Sequence, residues 1–236
     1  MKIIEAKLIE RIKRTESIES FRFSTAEKLP FSAGQFMRVI FNRDNLEDKE
    51  LNKYLSLSCS PNKSYVEVTK RLSDSRFSAA LKALTPGDSV FLNGPLGNCT
   101  LREDYKKIAF LIGGIGITPV VSILEYIFEN KLDIDSEILY SNKNENDIAF
   151  KNELDTWSKI NKAIKICYLV SETKPKDGAT IFGRIDKGSI LERITQLKER
   201  LIFIFGPPKM VEAMKALVLE LGVKPENLKT ESFIGY

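Results

Sequence analysis

Apolar and polar positions change rhythm once along this chain, near residue 100. Before that point, residues 3–10, 17–24, 35–41, 54–60, 65–71 and 89–93 form short, partly alternating runs, the pattern of half-buried β-strands. Pro61-Asn62-Lys63-Ser64, Pro86-Gly87-Asp88 and Gly94-Pro95-Leu96-Gly97 supply turns between them, and one helix is predicted over 75–84. Six short strands with a single helix predict a closed antiparallel barrel more than an open sheet. Beyond it, apolar runs at 108–112, 137–140, 163–170 and 201–205 alternate with helix-period segments at 119–130, 149–160, 187–198 and 208–221. That alternation predicts a doubly wound parallel sheet, which binds ligands at the carboxyl ends of its strands. The expected fold is a six-stranded antiparallel β barrel over 1–100 followed by an α/β domain over 101–236. Residues 98–106 form the junction, and the charge-rich 42–52 is expected to be a mobile loop inside the barrel.

The most informative stretch runs from Lys107 to Pro119, where an apolar strand stops at Gly113, Gly114 and Gly116 and a helix follows at once. Thr118 suits an N-cap and Pro119 the first helical position, with Val120, Ile123, Leu124, Ile127 and Phe128 at helical spacing after them. Unpaired amides and roughly half a unit of positive dipole charge at such a helix start attract anions, and glycines let the ligand approach. A dinucleotide pyrophosphate fits both features. The spacing departs from G-x-G-x-x-G, and a plain strand-to-helix connection would produce the same turn.

Composition narrows the chemistry. With 236 residues and 43% hydrophobic content the chain has ample core for two domains. The 36 basic residues nearly balance the 32 acidic ones, and the resulting +4 leaves no nucleic-acid footprint. Charge interrupts the first residues, and no later run is long enough to span a bilayer, so no signal peptide, no membrane segment and cytoplasmic residence are expected. The absence of histidine removes the commonest general base and metal ligand and makes hydrolysis improbable. Cys59, Cys99 and Cys167 lack the spacing of a zinc or iron–sulfur site and read as free thiols. Electron transfer by this chain would need a bound organic cofactor.

Five stretches coincide in order and spacing with one family: Lys53-Tyr54-Leu55-Ser56-Leu57-Ser58, Ser75-Arg76-Phe77-Ser78, the glycine turn, Phe205-Gly206-Pro207-Pro208-Lys209-Met210, and the terminal Glu231-Ser232-Phe233-Ile234-Gly235-Tyr236. On these the chain resembles, over essentially its whole length, the ferredoxin-NADP reductase family of flavoenzymes, whose Rossmann-like second domain binds NAD(P). The resemblance implies that Ser56 is the serine of the family's Arg-x-Tyr-Ser flavin signature, with its hydroxyl near flavin N5; an ordinary strand serine is the bland alternative. Lys53 stands where the family has Arg, and keeps a charge for the flavin phosphates without the two-pronged contact. Leu55 stands where it has Tyr and can still pack on the isoalloxazine face. Tyr54 lies between them in the same segment. Ser75 and Ser78 mark the helix that would cap the FAD pyrophosphate, with Ser75 replacing a usual Gly and Lys70 adding positive charge. Gly34-Gln35-Phe36 matches the start of the family's third barrel strand, with a structural role only.

Phe205-Gly206-Pro207 stands where the family usually has Cys-Gly-Pro. The thiol is absent, Gly206 still admits the nicotinamide, and Phe205 reads equally as a strand-end core residue or a stacking partner. Glu231 matches a carboxylate near the nicotinamide and Phe233 the aromatic that covers the flavin; a surface Glu and a core Phe are the plain alternatives. Tyr236 reaches either the adenine end or the flavin. After the second strand of the α/β domain, Tyr140-Ser141-Asn142-Lys143 carries no acid to grip ribose hydroxyls. Ser141, Lys143 and Arg184 can hold a 2'-phosphate, which favours NADPH over NADH, and solvated loop charge explains them equally well.

The expectation is an FAD-dependent NAD(P)H oxidoreductase passing hydride from nicotinamide to flavin and electrons to a separate acceptor: a ferredoxin, a flavodoxin or an oxygenase component. A free-flavin or ferric reductase is the alternative among enzymes. A non-catalytic flavin-binding or interaction module, marked by Lys53, Leu55 and Phe205, is the alternative of another class. The sequence leaves the oligomeric state open.

Overall fold

The computed structural model describes residues 3–102, 104–176 and 178–233. Strands β1 (Ile3–Lys13), β2 (Ile18–Thr25), β3 (Phe36–Ile40), β4 (Asn52–Ser56), β5 (Val66–Arg71) and β6 (Ser89–Leu96) form an antiparallel sheet in the order β4-β3-β6-β1-β2-β5. Its two edges meet through a single bridge, Leu57 to Val68, beside a Ser58 amide donated to the Glu67 carbonyl at 2.8 Å. The sheet therefore curls into a barrel whose seam is one bridge wide. Inward-facing Leu8, Phe21, Phe23, Met37, Val39, Val68 and Leu92 fill it, and helix α1 (Arg76–Ala83) plugs one end with Phe77 and Leu81.

The second sheet is parallel, in the order β10-β9-β8-β7-β11-β12, with β7 (Lys107–Gly113), β8 (Asp135–Asn142), β9 (Ile164–Val170), β10 (Ile181–Phe182), β11 (Leu201–Gly206) and β12 (Leu228–Ser232). Strand alternation sorts its apolar residues into two cores. Ile108, Phe110, Ile112, Phe203 and Phe205 face α2 (Ile117–Glu129) and α3 (Lys151–Ile160), while Ala109, Leu111, Ile202 and Ile204 face α4 (Lys187–Arg193) and α5 (Pro208–Glu220). The strand order reverses between β7 and β11, so their carboxyl ends form the crevice of a doubly wound sheet.

Several expectations are corrected. The helix expected over 187–198 ends at Arg193 and resumes as a single 3-10 turn at Leu197–Glu199. Residues 42–52 are a hydrogen-bonded loop: the Asn52 side chain donates to the carbonyls of Asn42, Asn45 and Leu46, and Asp48 accepts from the Glu50 and Leu51 amides. Strands β10 and β12 lie outside the expected elements, because the first is two residues long and the second, Leu-Lys-Thr-Glu-Ser, has no apolar run. Among the described residues no helix is long and apolar enough to cross a membrane.

The two sheets share a continuous interior, with Ile18 and Ala33 from the barrel packing into the α2 side of the parallel sheet. Polar contacts stitch the same seam: Ser122 donates to the Cys59 carbonyl at 2.7 Å, and the Ser60 amide donates to Glu125 at 2.7 Å. Arg14, just past β1, binds Glu67 and reaches Glu153 on α3, its guanidinium 4.3 Å from the Phe150 ring centroid.

At the opposite end of the parallel sheet, Arg200 is fully buried and donates to the Thr195, Ile108 and Asp135 carbonyls while pairing with Asp135 and Glu137. Glu137 is itself 1% exposed, so removing the cation strands a buried carboxylate. Arg200→Met is expected to lower unfolding free energy by about 3–5 kcal/mol, read by urea titration; a loss under about 1 kcal/mol would show that the network does not hold the sheet.

Candidate functional site

Strand β4 pairs with β3 so that Ser56 lies opposite Phe36, Leu55 opposite Met37 and Tyr54 opposite Arg38. Directly opposed residues share a face. Leu55 therefore follows Met37 toward the barrel core, and Tyr54 and Ser56 follow Arg38 and Phe36 outward. Leu55, expected to pack on the flavin, is not among the described residues that line the cleft, whereas its neighbour Tyr54 is. Tyr54 is 58% exposed, and its ring meets Phe36 edge-on at 5.8 Å.

The cleft has a volume of about 680 Å³, within the range of about 300–1,000 Å³ usual for cofactor sites. One wall comes from the barrel, with Phe36, Arg38, Asn52, Lys53, Tyr54, Ser56 and Leu96; Glu47 and Lys49 sit on the loop above; Glu231, Ser232 and Phe233 close it from β12 and just beyond. Neither sheet makes this space alone. Ser56 is 4% exposed and its Oγ is buried with no hydrogen-bond partner. An orphaned hydroxyl costs about 1–3 kcal/mol, which a hydrogen-bonding ligand atom in the cleft would recover. The Glu231 carboxyl is pushed up to about 6 by burial. Phe233 packs against the α2-side core and donates its amide to the Gly206 carbonyl at 3.0 Å.

Lys70 lies close enough to Lys53 to feel its charge: burial first, then Lys53, pulls the Lys70 amine below its ordinary range. Among the described residues neither amine has a carboxylate partner, which suits the pair to an anion. At α1, Ser75 is the N-cap and its hydroxyl accepts from the Ser78 amide at 3.3 Å. Ser78 is fully buried, its hydroxyl 3.1 Å from the Ser73 amide, so it shapes the helix start rather than facing a ligand.

The glycine turn runs from Gly113 through a 3-10 turn, Gly114–Gly116, into α2. Thr118 is not the N-cap. It lies in the first turn of α2, 1% exposed, and its hydroxyl donates to the Ile115 carbonyl at 3.1 Å, while Gly116 holds the cap position and Pro119 sits third in the helix. Packing explains the shift: a Cβ on Gly116 would stand 2.5 Å from the Phe205 carbonyl, and one on Gly113 2.4 Å from Met210 Sδ. Close contact with β11 and α5 thus sets the turn before the Thr-Pro pair can start a helix. Gly114 differs, with φ +52° and open space beside it. Gly206 packs against Gly113 across the crevice, and Pro207 opens α5. Phe205 is fully buried against Phe203 and α2, which resolves its two readings in favour of the core.

Ser141 lies next to last in β8, opposite Leu169, and Lys143 just beyond the strand pairs with Glu172 at 3.3 Å. The cation expected for a 2'-phosphate therefore stands beside a carboxylate from the end of β9. Arg184 is exposed after β10. Tyr236 lies outside the described residues. Arg38, Phe36 and Lys49 join the site without having been expected there. The first two were readable from alternation, since Met37 and Val39 are core residues and their neighbours must point outward.

A barrel that offers an orphaned hydroxyl and clustered cations, facing a doubly wound sheet with a glycine turn at its switch point, defines a flavin- and dinucleotide-binding oxidoreductase. Comparison with known proteins agrees: residues 5–101 match the oxidoreductase FAD-binding domain and residues 110–216 the oxidoreductase NAD-binding domain. The chain belongs to the ferredoxin-NADP reductase family. It is 27% identical to flavohemoprotein A of Dictyostelium discoideum over 94% of this chain and 58% of that protein. It is 20% identical to reductase component 2 of terephthalate 1,2-dioxygenase of Comamonas sp., over 92% of this chain and 63% of the relative. The chain thus spans less than two thirds of the length of either. A ferredoxin NADP+ reductase of Neisseria gonorrhoeae, solved with bound FAD and NADP, superposes with a TM-score of 0.80 at 21% identity, over 98% of this chain and 99% of that one.

Glu231 generates a pH signature. Its folded carboxyl holds a proton more tightly than the unfolded chain does, so the stabilisation from that proton is complete below about 4.5 and disappears as pH rises through about 6. Across that window the wild type is expected to lose stability relative to Glu231→Gln, measured by thermal melting at fixed ionic strength. Parallel curves would show that the carboxyl is not desolvated.

Proposed function

We propose that this chain, dividing near residue 100 into FAD-binding and NAD(P)-binding domains, is the reductase of an electron-transfer system and hands electrons to a separate protein. The acceptor is a ferredoxin, a flavodoxin or an oxygenase component. The observation that carries the reading is the buried, unpartnered Ser56 hydroxyl on a cleft closed between the barrel and β12. FAD, when bound, supplies a ring that takes hydride at N5 and releases electrons onward.

The chain's own residues have distinct tasks around it. Ser56 offers a hydrogen bond at N5 and is short enough not to block the ring. Lys53 and Lys70 neutralise phosphate charge on one side. Phe36, Leu96 and Phe233 supply apolar lining that would keep water from a bound flavin ring, and Phe233 would give way to a nicotinamide. Glu231, its carboxyl pushed up to about 6 by burial, would orient the incoming carboxamide. Gly114, the open left-handed position of the turn, admits the dinucleotide pyrophosphate to the start of α2. The names of two similar proteins support a protein acceptor, one being a reductase component of a dioxygenase and the other a ferredoxin NADP+ reductase.

The test compares acceptors. With saturating NADH or NADPH, the FAD-loaded protein should reduce a purified ferredoxin or flavodoxin faster than it reduces free FMN or a ferric chelate, at a rate that falls with salt. Equal or faster turnover on FMN or ferric iron with no protein acceptor would favour the free-flavin or ferric reductase. Dinucleotide choice rests on the Lys143–Glu172 pair. Lys143→Ala is expected to raise KM for NADPH several-fold and not for NADH, and Glu172→Gln to lower it for NADPH alone. Equal effects on both dinucleotides would remove the pair from the binding site.

A further inference from the structure

Arg38 stands on the barrel wall of the cleft with unfinished bonding. Its Nη2 donates to the Leu46 carbonyl, which the Asn52 side chain also holds at 3.3 Å, so one corner of the guanidinium is fixed to the ordered 42–52 loop. Its guanidinium carbon lies 5.6 Å from the Tyr54 ring centroid, and Tyr54 is in turn braced by Phe36. Its Nε is buried and has no partner, and among the described residues no carboxylate pairs with it. Glu47 lines the same cleft without making that pair. A guanidinium cannot lose its proton at any ordinary pH, so an unmatched buried N–H on it is a standing demand for an acceptor.

The surroundings say what kind of acceptor. Arg38, Lys49 and Lys53 line the cleft against Glu47 and Glu231, and Glu231 is close to half-neutral near pH 6, so the wall is electropositive. Lys53, a single point charge, occupies the position at which a forked contact would otherwise come from β4, and it already shares its neighbourhood with Lys70. The register places Arg38 on β3 opposite Tyr54 on β4, one residue along from Lys53. Nη2 carries a second N–H beside the one given to Leu46, and together with Nε or Nη1 it can grip two oxygens of one phosphate group.

We propose that Arg38, held in plane by Tyr54 and Leu46, supplies the two-pronged contact to the FAD diphosphate that Lys53 does not make. The fork has moved from β4 to the neighbouring strand, and Tyr54 acts as its positioning residue. This rests on FAD occupying the cleft, and the experiment separates the two claims.

FAD and riboflavin, which lacks both phosphates, are titrated separately into flavin-free protein and binding is followed by flavin fluorescence. Arg38→Met should weaken FAD about 10- to 100-fold and leave riboflavin within about two-fold, as expected for a lost charge-assisted pair. Arg38→Lys, which keeps the charge without the fork, should lose several-fold for FAD alone, and it carries the test if the methionine variant does not fold. Equal losses for both flavins would assign Arg38 to holding the 42–52 loop and overturn the proposal. Unchanged FAD affinity would overturn it too. Wild-type protein that binds neither flavin would overturn both this proposal and the flavin reading, whereas wild-type FAD binding insensitive to Arg38 would overturn the proposal alone.

Discussion

Glu67 is 2% exposed on β5, and two guanidiniums converge on it, Arg14 at 3.1 Å and Arg22 at 2.8 Å, with the Ser58 hydroxyl donating at 3.2 Å. Arg14 then leaves the barrel for Glu153 on α3 and covers the Phe150 ring. Phe150 itself holds a left-handed conformation, φ +60°, which a bulky side chain adopts only when its surroundings enforce it. A buried charge cluster of this kind adds little net stability compared with apolar packing, but losing one member is costly. Its value is directional, because it fixes how the barrel meets the parallel sheet. The cleft depends on that relation, since Ser56 and Arg38 come from one sheet and Glu231 and Phe233 from the other.

The site follows from incomplete satisfaction inside a well-satisfied frame. Around the seam, hydroxyls, amides and carboxylates find partners, as Ser122 with Cys59, Ser60 with Glu125 and Ser20 with Thr69. In the cleft, the Ser56 hydroxyl and the Arg38 Nε do not. A fold that pairs polar groups in its seam and leaves two unmatched in one concave space keeps those two for a ligand. The clustered Lys53 and Lys70, and a Glu231 carboxyl pushed up to about 6 by burial, extend the same logic to charge.

Most of the frame is legible in the sequence because its periodicities are clean. Alternation on β1 to β6 and apolar runs separated by helices from Lys107 onward reflect real burial. What escapes is decided by contacts distant in sequence. The start of α2 is set by Gly116 against the Phe205 carbonyl, so the local preference of Thr118 and Pro119 does not rule there. Strand β12 is recruited by pairing with β11 from Ile202 to Gly206, with no apolar pattern of its own. That Leu55 packs beside Met37 against the barrel core follows from strand pairing and not from its motif position. Lys143 looks like an available cation until the end of β9 brings Glu172 beside it.

The central claim is that the unpartnered Ser56 hydroxyl marks the place where a flavin meets a nicotinamide. Its most direct test is a stopped-flow visible spectrum of FAD-loaded protein mixed anaerobically with NADH or NADPH, for wild type and Ser56→Ala. The flavin bands are expected to bleach in the wild type, and Ser56→Ala to slow bleaching at least ten-fold while changing FAD affinity far less. Flavin bands that do not respond to either dinucleotide, or that bleach at the same rate in both proteins, would contradict that claim.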